Sequence, residues 1–395
     1  MTSTEISERA RGKTLGVFAA GAALHAAARP VAPSQRIAIL IHDLRGGGAE
    51  RVALNLAKGM IDAGRQVDLV LVRAQGEYMD QIPAGVRLID LDKPNVFRAV
   101  PSLVRYLRRE RPKALLSSLT HVNVVALVAK ALAGGPTRVA VTEHSQISDK
   151  AAALKRPRSR LLYGSVPFIY RLADAVVAVS QGTADDVSRF ARLRRSPVRC
   201  IYNPVYSDGL VTAAQAPVDH PWMQPGEIPV ILGAGRLHPQ KGFDLLMRAF
   251  ATVRKTAPCR LIIMGEGKER PRLEALAREL SIANDVSLTG FVANPYAMMS
   301  RASVFAMSSR SEGFSLVLLE ALACGVPVVA TDCPSGPSEI LDKGRHGVLV
   351  PIDDPETLAA GILTALSHKR GAGIERAKSF STQVATRAYL DLLGA

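Results

Sequence analysis

Val304-Phe305-Ala306-Met307 runs into Ser308-Ser309-Arg310-Ser311-Glu312-Gly313-Phe314-Ser315-Leu316, and the stretch closes with Gly325-Val326-Pro327-Val328-Val329-Ala330. Its opening apolar residues read as a buried strand, and the polar, glycine-bearing segment after them reads as a loop. A helix then passes through Glu320 and Ala321 to Ala323, and a second apolar strand spans Val326 to Ala330. Strand, helix and strand in that order make a βαβ unit, whose two strands lie parallel with the helix crossing over them. The fold class that follows is α/β.

Outward from this unit the same alternation fills the chain. Earlier strands are read at Arg36 to His42, Val67 to Val72, Ala114 to Ser118, Arg138 to Thr142, Ala175 to Ser180 and Val198 to Tyr202. Later ones are read at Val230 to Ala234, Leu261 to Met264 and Val286 to Leu288. Each half carries enough strands for its own doubly wound, Rossmann-like sheet. Between the halves, Asn203 to Pro229 holds several prolines, the single tryptophan Trp222 and no strong periodicity, as a linker should. The expected division is a disordered leader at 1–34, a first domain at 35–205 and a second at 206–380.

Composition agrees. A chain of 395 residues, 48% hydrophobic and 22% charged, is too long for one ordinary core and too apolar for disorder. Fifty Lys and Arg against 35 Asp and Glu give a net charge of +15, which attracts nucleic acids, acidic membranes and phosphorylated small molecules alike. An aromatic content of 5% with no stacking platform counts against nucleic acid. Cys200, Cys259, Cys324 and Cys333 match no zinc spacing and read as free thiols in a reducing compartment. Leu15 to Ala28, after Arg9, Arg11 and Lys13, is too short to span a bilayer, and its alanines and His25 make it a leader rather than a signal peptide.

Three loops carry chemistry. After the first strand, Gly46-Gly47-Gly48 precede a helix, where backbone can approach a ligand and unpaired N–H groups favour an anion; the spacing fits neither G-x-G-x-x-G nor a P-loop. At the head of the second half, Gly235-Arg236-Leu237 and Lys241-Gly242 place two cations after a strand, able to converge on a diphosphate. Between Glu312 and Glu320, the amides of Gly313, Phe314, Ser315 and Leu316 open a helix, with one carboxylate in the loop and the other about two turns in. Two carboxylates for hydroxyls and a row of amides for phosphate make a nucleotide-sugar cradle. Asp90-Leu91-Asp92 matches the letters of a metal-binding pair but sits on an alternating strand edge, and Asp353 and Asp354 read as helix caps before Pro355.

With these motifs in place, residues 36–393 resemble the retaining glycosyltransferases of family 4, which have the GT-B fold of two Rossmann-like domains facing across a cleft. The resemblance implies that Glu312 contacts the transferred sugar and Glu320 the nucleotide ribose. It implies that Arg236, Lys241 and the amides after Glu312 hold the diphosphate, and that Gly47 and Gly48 bring the first domain close to donor and acceptor. His144, which alone reads as a structural histidine after a strand, stands where the family places one that reaches the donor sugar. Gly265 and Val292 resemble loop positions bordering the base. The final helix, in 381–395, resembles one that returns to the first domain.

No cofactor is expected, the reaction being metal-independent with the nucleotide sugar as substrate. Cys333-Pro334-Ser335-Gly336-Pro337-Ser338-Glu339-Ile340 resembles transferases of N-acetylgalactosamine and related hexoses onto polyprenyl-diphosphate glycans, which points to UDP. A GDP-mannose-dependent enzyme of the same fold and a non-catalytic sugar-nucleotide binder are the alternatives. Basic residues Arg105, Arg108, Arg109, Arg111 and Lys113, and Lys155, Arg156, Arg158 and Arg160 beside apolar ones, fit peripheral contact with an anionic membrane, at the cytoplasmic face of the inner membrane.

Overall fold

The computed structural model describes residues 34–395 except 155, 194–196 and 225–227. The leader expectation and Lys155 therefore lie outside the described residues, apart from Ser34, where the first strand begins.

The first half contains β1 (Ser34–Ile41), β2 (Val67–Leu71), β3 (Arg87–Asp90), β4 (Pro112–Ser118), β5 (Arg138–Glu143), β6 (Ala175–Ala178) and β7 (Arg199–Cys200). Its helices are α1 (Gly48–Asp62), α2 (Val100–Glu110), α3 (Thr120–Ala133), α4 (Ile147–Ala152), α5 (Pro157–Ile169) and α6 (Gln181–Phe190). Then come α7 (Asp208–Ala214), β8 (Val230–Ala234), α8 (Phe243–Thr256), β9 (Arg260–Met264), α9 (Arg270–Glu279), β10 (Val286–Gly290) and α10 (Pro295–Met299). The chain ends with β11 (Val304–Met307), α11 (Leu316–Ala323), β12 (Val328–Thr331), α12 (Pro337–Ile340), β13 (Val348–Val350), α13 (Pro355–Leu366), α14 (Ile374–Lys378) and α15 (Thr382–Leu393).

All pairings within the two sheets are parallel, in the orders β3-β2-β1-β4-β5-β6-β7 and β10-β9-β8-β11-β12-β13. Parallel strands covered on both faces read as continuous apolar runs, and side chains alternate between the faces. Ile37, Ile39 and Ile41 enter one core cluster while Ala38 and Leu40 enter another. In the second sheet Val230 and Leu232 face one way and Ile231 the other. Strand order reverses between β1 and β4 and between β8 and β11, and crevices open at such switch points beyond the carboxyl ends of the strands.

The sequence left two elements unread. The linker holds a helix: Ser207 caps α7 by accepting from Leu210 N, and α7 lies on α10, with Asn294 Nδ2 donating to Ala213 O (2.8 Å). Seven residues are too few for a legible helical period. The three-residue edge strand β13 was also absent from the sequence reading.

The chain crosses between the halves twice, side by side. Val205 N donates to Phe380 O (3.0 Å), and Thr382 N donates to Tyr206 O (3.0 Å). Helix α15 then packs on α1, its Ala385, Tyr389, Leu390 and Leu393 joining a core cluster of the first sheet.

Candidate active site

The chemistry-bearing loops emerge at the two switch points: Asp43 to Gly48 after β1, the start of α3 after β4, Gly235 to Lys241 after β8, and Ser308 to Ser315 after β11. Two helix starts meet there. Gly47 caps α1 and Ser315 caps α11, and neither gives a side-chain hydrogen bond to the first turn. Helices α6, α7, α13 and α15 are capped by Ser180, Ser207, Asp354 and Ser381, while α2, α3, α4, α5, α8, α9, α10, α12 and α14 lack such a cap too, so what sets these two starts apart is that they meet. The two ends touch: a Cβ on Gly48 would stand 3.0 Å from Leu316 Cδ1, and Leu316 packs against clusters of both halves, while the Glu50 carboxylate folds onto its own N–H at the start of α1. Because α11 begins at Leu316, Glu320 stands just over one turn into it, not two.

Glu312 is buried and held from two sides, by Lys241 Nζ (2.6 Å) and Ser309 Oγ (2.7 Å). Lys241 thus meets Glu312 directly, a pairing the sequence did not show; its ammonium has three donors, of which this pair takes one. Gly235 backs the lysine, with Lys241 Cδ 3.5 Å from where a Gly235 Cβ would stand. Arg236 is exposed at the end of β8 and attracts Glu50 of α1, whose carboxyl burial raises above the usual range.

Glu320 is buried too. Burial raises its carboxyl, while the charge of Arg51 and a hydrogen bond from Tyr296 Oη (3.3 Å) pull it back. Arg51, on the first turn of α1, stacks 4.3 Å over the Tyr78 ring and donates to Gln81 Oε1 (3.0 Å). Sequence reading missed Arg51, Tyr296 and Ser309. The only signal for Arg51 was its place just after the triple glycine.

The Gly313 peptide lies against the first half. Its carbonyl accepts from Ser180 Oγ (2.6 Å) and Thr183 Oγ1 (3.2 Å), and a Cβ there would fall 2.1 Å from His144 O. His144 Nε2, Ser145 Oγ and Ser315 Oγ are buried and have no hydrogen-bond partner among the described residues. Burial, with repulsion from Lys150 added, pushes His144 down to about 3. Burial, then His42 and Lys150, pushes His121 down to about 4. Both imidazoles are neutral at pH 7. His121 packs edge-on to His42, 5.7 Å between centroids, beside the buried Asp43 that Arg45 pairs at 2.6 Å.

The other residues singled out in the sequence serve in varied ways. The Phe314 ring turns away into an aromatic cluster with Tyr202 (5.5 Å) and Phe380 (5.7 Å), leaving its amide to the loop. Gly265 N donates to Gly290 O (2.7 Å) and Gly235 N to Met264 O (2.9 Å), which ties these loops to the neighbouring strands β10 and β9. Val292 is partly buried on the second half's core. Asp354 caps α13 through Thr357 N (2.9 Å), but Asp353 is an ion-pair partner of Arg310 (2.6 Å) rather than a cap. Asp90 accepts from Ala74 N (3.2 Å) and Asp92 N (2.8 Å) at the sheet edge.

Comparison with known proteins gives the family and the fold. Residues 46–208 match the model described as Glycosyltransferase Family 4, and residues 228–368 match that described as Glycosyl transferases group 1. A relative from Campylobacter jejuni is N-acetylgalactosamine-N,N'-diacetylbacillosaminyl-diphospho-undecaprenol 4-alpha-N-acetylgalactosaminyltransferase. It is 30% identical over 380 residues, covering 91% of this chain and 100% of that protein. The chain belongs to glycosyltransferase family 4.

The family 4 chain shares its fold with solved structures at lower identity. Sucrose-phosphate synthase from Thermosynechococcus elongatus superposes with a TM-score of 0.76 at 22% identity, covering 91% of this chain and 98% of that one. Anabaena Alr3699/HepE in complex with UDP superposes with a TM-score of 0.70 at 21% identity, covering 91% and 99%. The architecture is GT-B, and the enzyme is a glycosyltransferase.

Proposed function

We propose that this glycosyltransferase moves a hexose or N-acetylhexosamine from a UDP-sugar to a lipid-linked glycan in surface polysaccharide or glycoconjugate synthesis, retaining anomeric configuration and using no metal ion. The observation that carries the reading is the start of α11, which has no side-chain cap and meets the start of α1, beside Lys241 and with Arg236 near Glu50 of α1. The N–H groups and dipole at the start of α11 favour phosphate. Fixed cations aimed at the leaving group stabilise charge as it develops and need no reorganisation during the step.

In this reading the amides of Gly313 to Leu316, Lys241 and Arg236 hold the diphosphate. Glu312 holds hydroxyls of the transferred sugar, neutral His144 offers it one further hydrogen bond, and Glu320 takes the ribose. Gly47 and Gly48 let the first domain approach, and the loops of Gly235, Gly265 and Val292 border the base. The bond between the anomeric carbon and the β-phosphate oxygen breaks while the acceptor oxygen bonds on the same face. The acceptor proton passes to a phosphate oxygen of the departing UDP, so no protein base is required.

The UDP bound in the HepE structure and the relative acting on a diphospho-undecaprenol glycan support this donor and acceptor. Arg105, Arg108 and Arg109 on α2 and the exposed Leu161 and Phe168 on α5, flanking α3, support contact with anionic lipid at the cytoplasmic face of the inner membrane. No helix among the described residues is long and apolar enough to cross a membrane.

A thermal-shift panel in chelator tests the donor. UDP raises the melting temperature and GDP leaves it unchanged; at a hundred times Kd the gain is about 2.7 kcal/mol. Stabilisation by GDP alone transfers the assignment to mannosyl transfer, and stabilisation by neither ends it.

A further inference from the structure

Glu339, on α12 of the second half, sends its carboxylate to the start of α6 in the first. Gln181 N donates to Oε2 (2.7 Å), Gly182 N to Oε1 (3.1 Å), and Tyr202 Oη to Oε2 (3.1 Å). The first N–H groups of a helix have no partner inside it. In α6, Ser180 Oγ accepts from Thr183 N (3.1 Å), and the Ala184 N–H reaches Ser180 O (2.9 Å). Gln181 and Gly182 are left, and a residue 157 or 158 positions away fills them. The cap of α6 is therefore complete only while the two halves are together.

The same helix start holds the loop that follows Glu312. Ser180 Oγ and Thr183 Oγ1 both donate to Gly313 O, the first carbonyl of the amide row. Ser335, close before Glu339, donates to Glu312 O (2.7 Å). Gly182 seats against this segment so closely that a Cβ would lie 2.6 Å from Ser335 Cβ.

We propose that Glu339 is a positioning residue: by capping α6 across the crevice it clamps the two halves together and fixes the Gly313 to Leu316 amides where the donor's diphosphate is gripped. The placement of the diphosphate rests on the function proposed above; the clamp itself does not.

Two variants test it in the full chain. Glu339→Gln keeps the shape but sets an amide NH2 against a backbone N–H. Gln181→Pro removes one donor while leaving Glu339 intact, and proline suits this first helical position after the extended Ser180. Both variants are expected to keep wild-type far-UV circular dichroism, to show a larger radius of gyration in small-angle scattering, and to bind UDP about tenfold more weakly, within the usual range of coupling between linked sites. Scattering curves that superpose on wild type in both variants, with unchanged UDP affinity, overturn the proposal. Failure of the wild-type protein to bind UDP or GDP contradicts the nucleotide-sugar reading, while the scattering comparison still judges the clamp.

Discussion

Gly313→Ala is expected to lower turnover by at least about a hundredfold, because the new methyl has nowhere to go. Its Cβ would lie 2.1 Å from His144 O and 2.6 Å from Ser145 Cα, both backbone atoms that no rotamer change can move aside. Either the Gly313 peptide leaves its hydrogen bonds with Ser180 and Thr183, or the halves separate. Overpacking of this kind costs about 1–3 kcal/mol in stability. The larger effect is on rate, since a shift of about 1 Å in a positioning group can cost on the order of a hundredfold. Gly164→Ala in α5 serves as control, because nothing lies within 4 Å of its Cβ. Steady-state rates of sugar transfer decide the matter: wild-type turnover in Gly313→Ala removes the cradle from the mechanism.

Lys241→Ala is expected to reduce kcat by about a hundred- to a thousandfold, the effect of deleting one preorganised donor aimed at developing charge. The substitution acts twice. It removes a cation from the place assigned to the leaving diphosphate, and it strips the partner at 2.6 Å from a buried carboxylate, leaving Glu312 with Ser309 alone. An uncompensated charge in such a place moves or takes up a proton. Lys241→Arg keeps the charge but replaces a compact ammonium with a planar fork, so it restores only part of the loss. Equal kcat in Lys241→Ala and wild type, measured under saturating donor, would remove the lysine from the reaction.

The fold was legible because its signal is local. Strands covered on both faces read as short apolar runs, and the alternation of Ile37, Ile39 and Ile41 with Ala38 and Leu40 follows from the pleat alone. Three-residue β13 and seven-residue α7 fall below the length at which a period shows. Spacing and resemblance singled out Glu312, Glu320, Arg236, Lys241 and the glycine loop, and the segments that carry them follow β1, β8 and β11 at the switch points.

What the sequence hid are meetings between distant segments. Lys241 and Glu312 are 71 residues apart, and Glu339 lies 158 from Gln181. Apart from its place after the triple glycine, nothing local distinguishes Arg51 from an ordinary solvated arginine, and its charge reaches Glu320 where the starts of α1 and α11 touch. Phe314 shows the opposite case, a residue inside a motif whose ring serves the hydrophobic core.

The most direct measurement is a crystal structure of the full chain with UDP, grown in chelator. The diphosphate is expected between Lys241 and Arg236 on one side and the Gly313 to Leu316 amides on the other, with oxygens about 3 Å from those N–H groups. Diphosphate bound away from the α11 helix start, or affinity that appears only when a divalent cation is supplied, would contradict it.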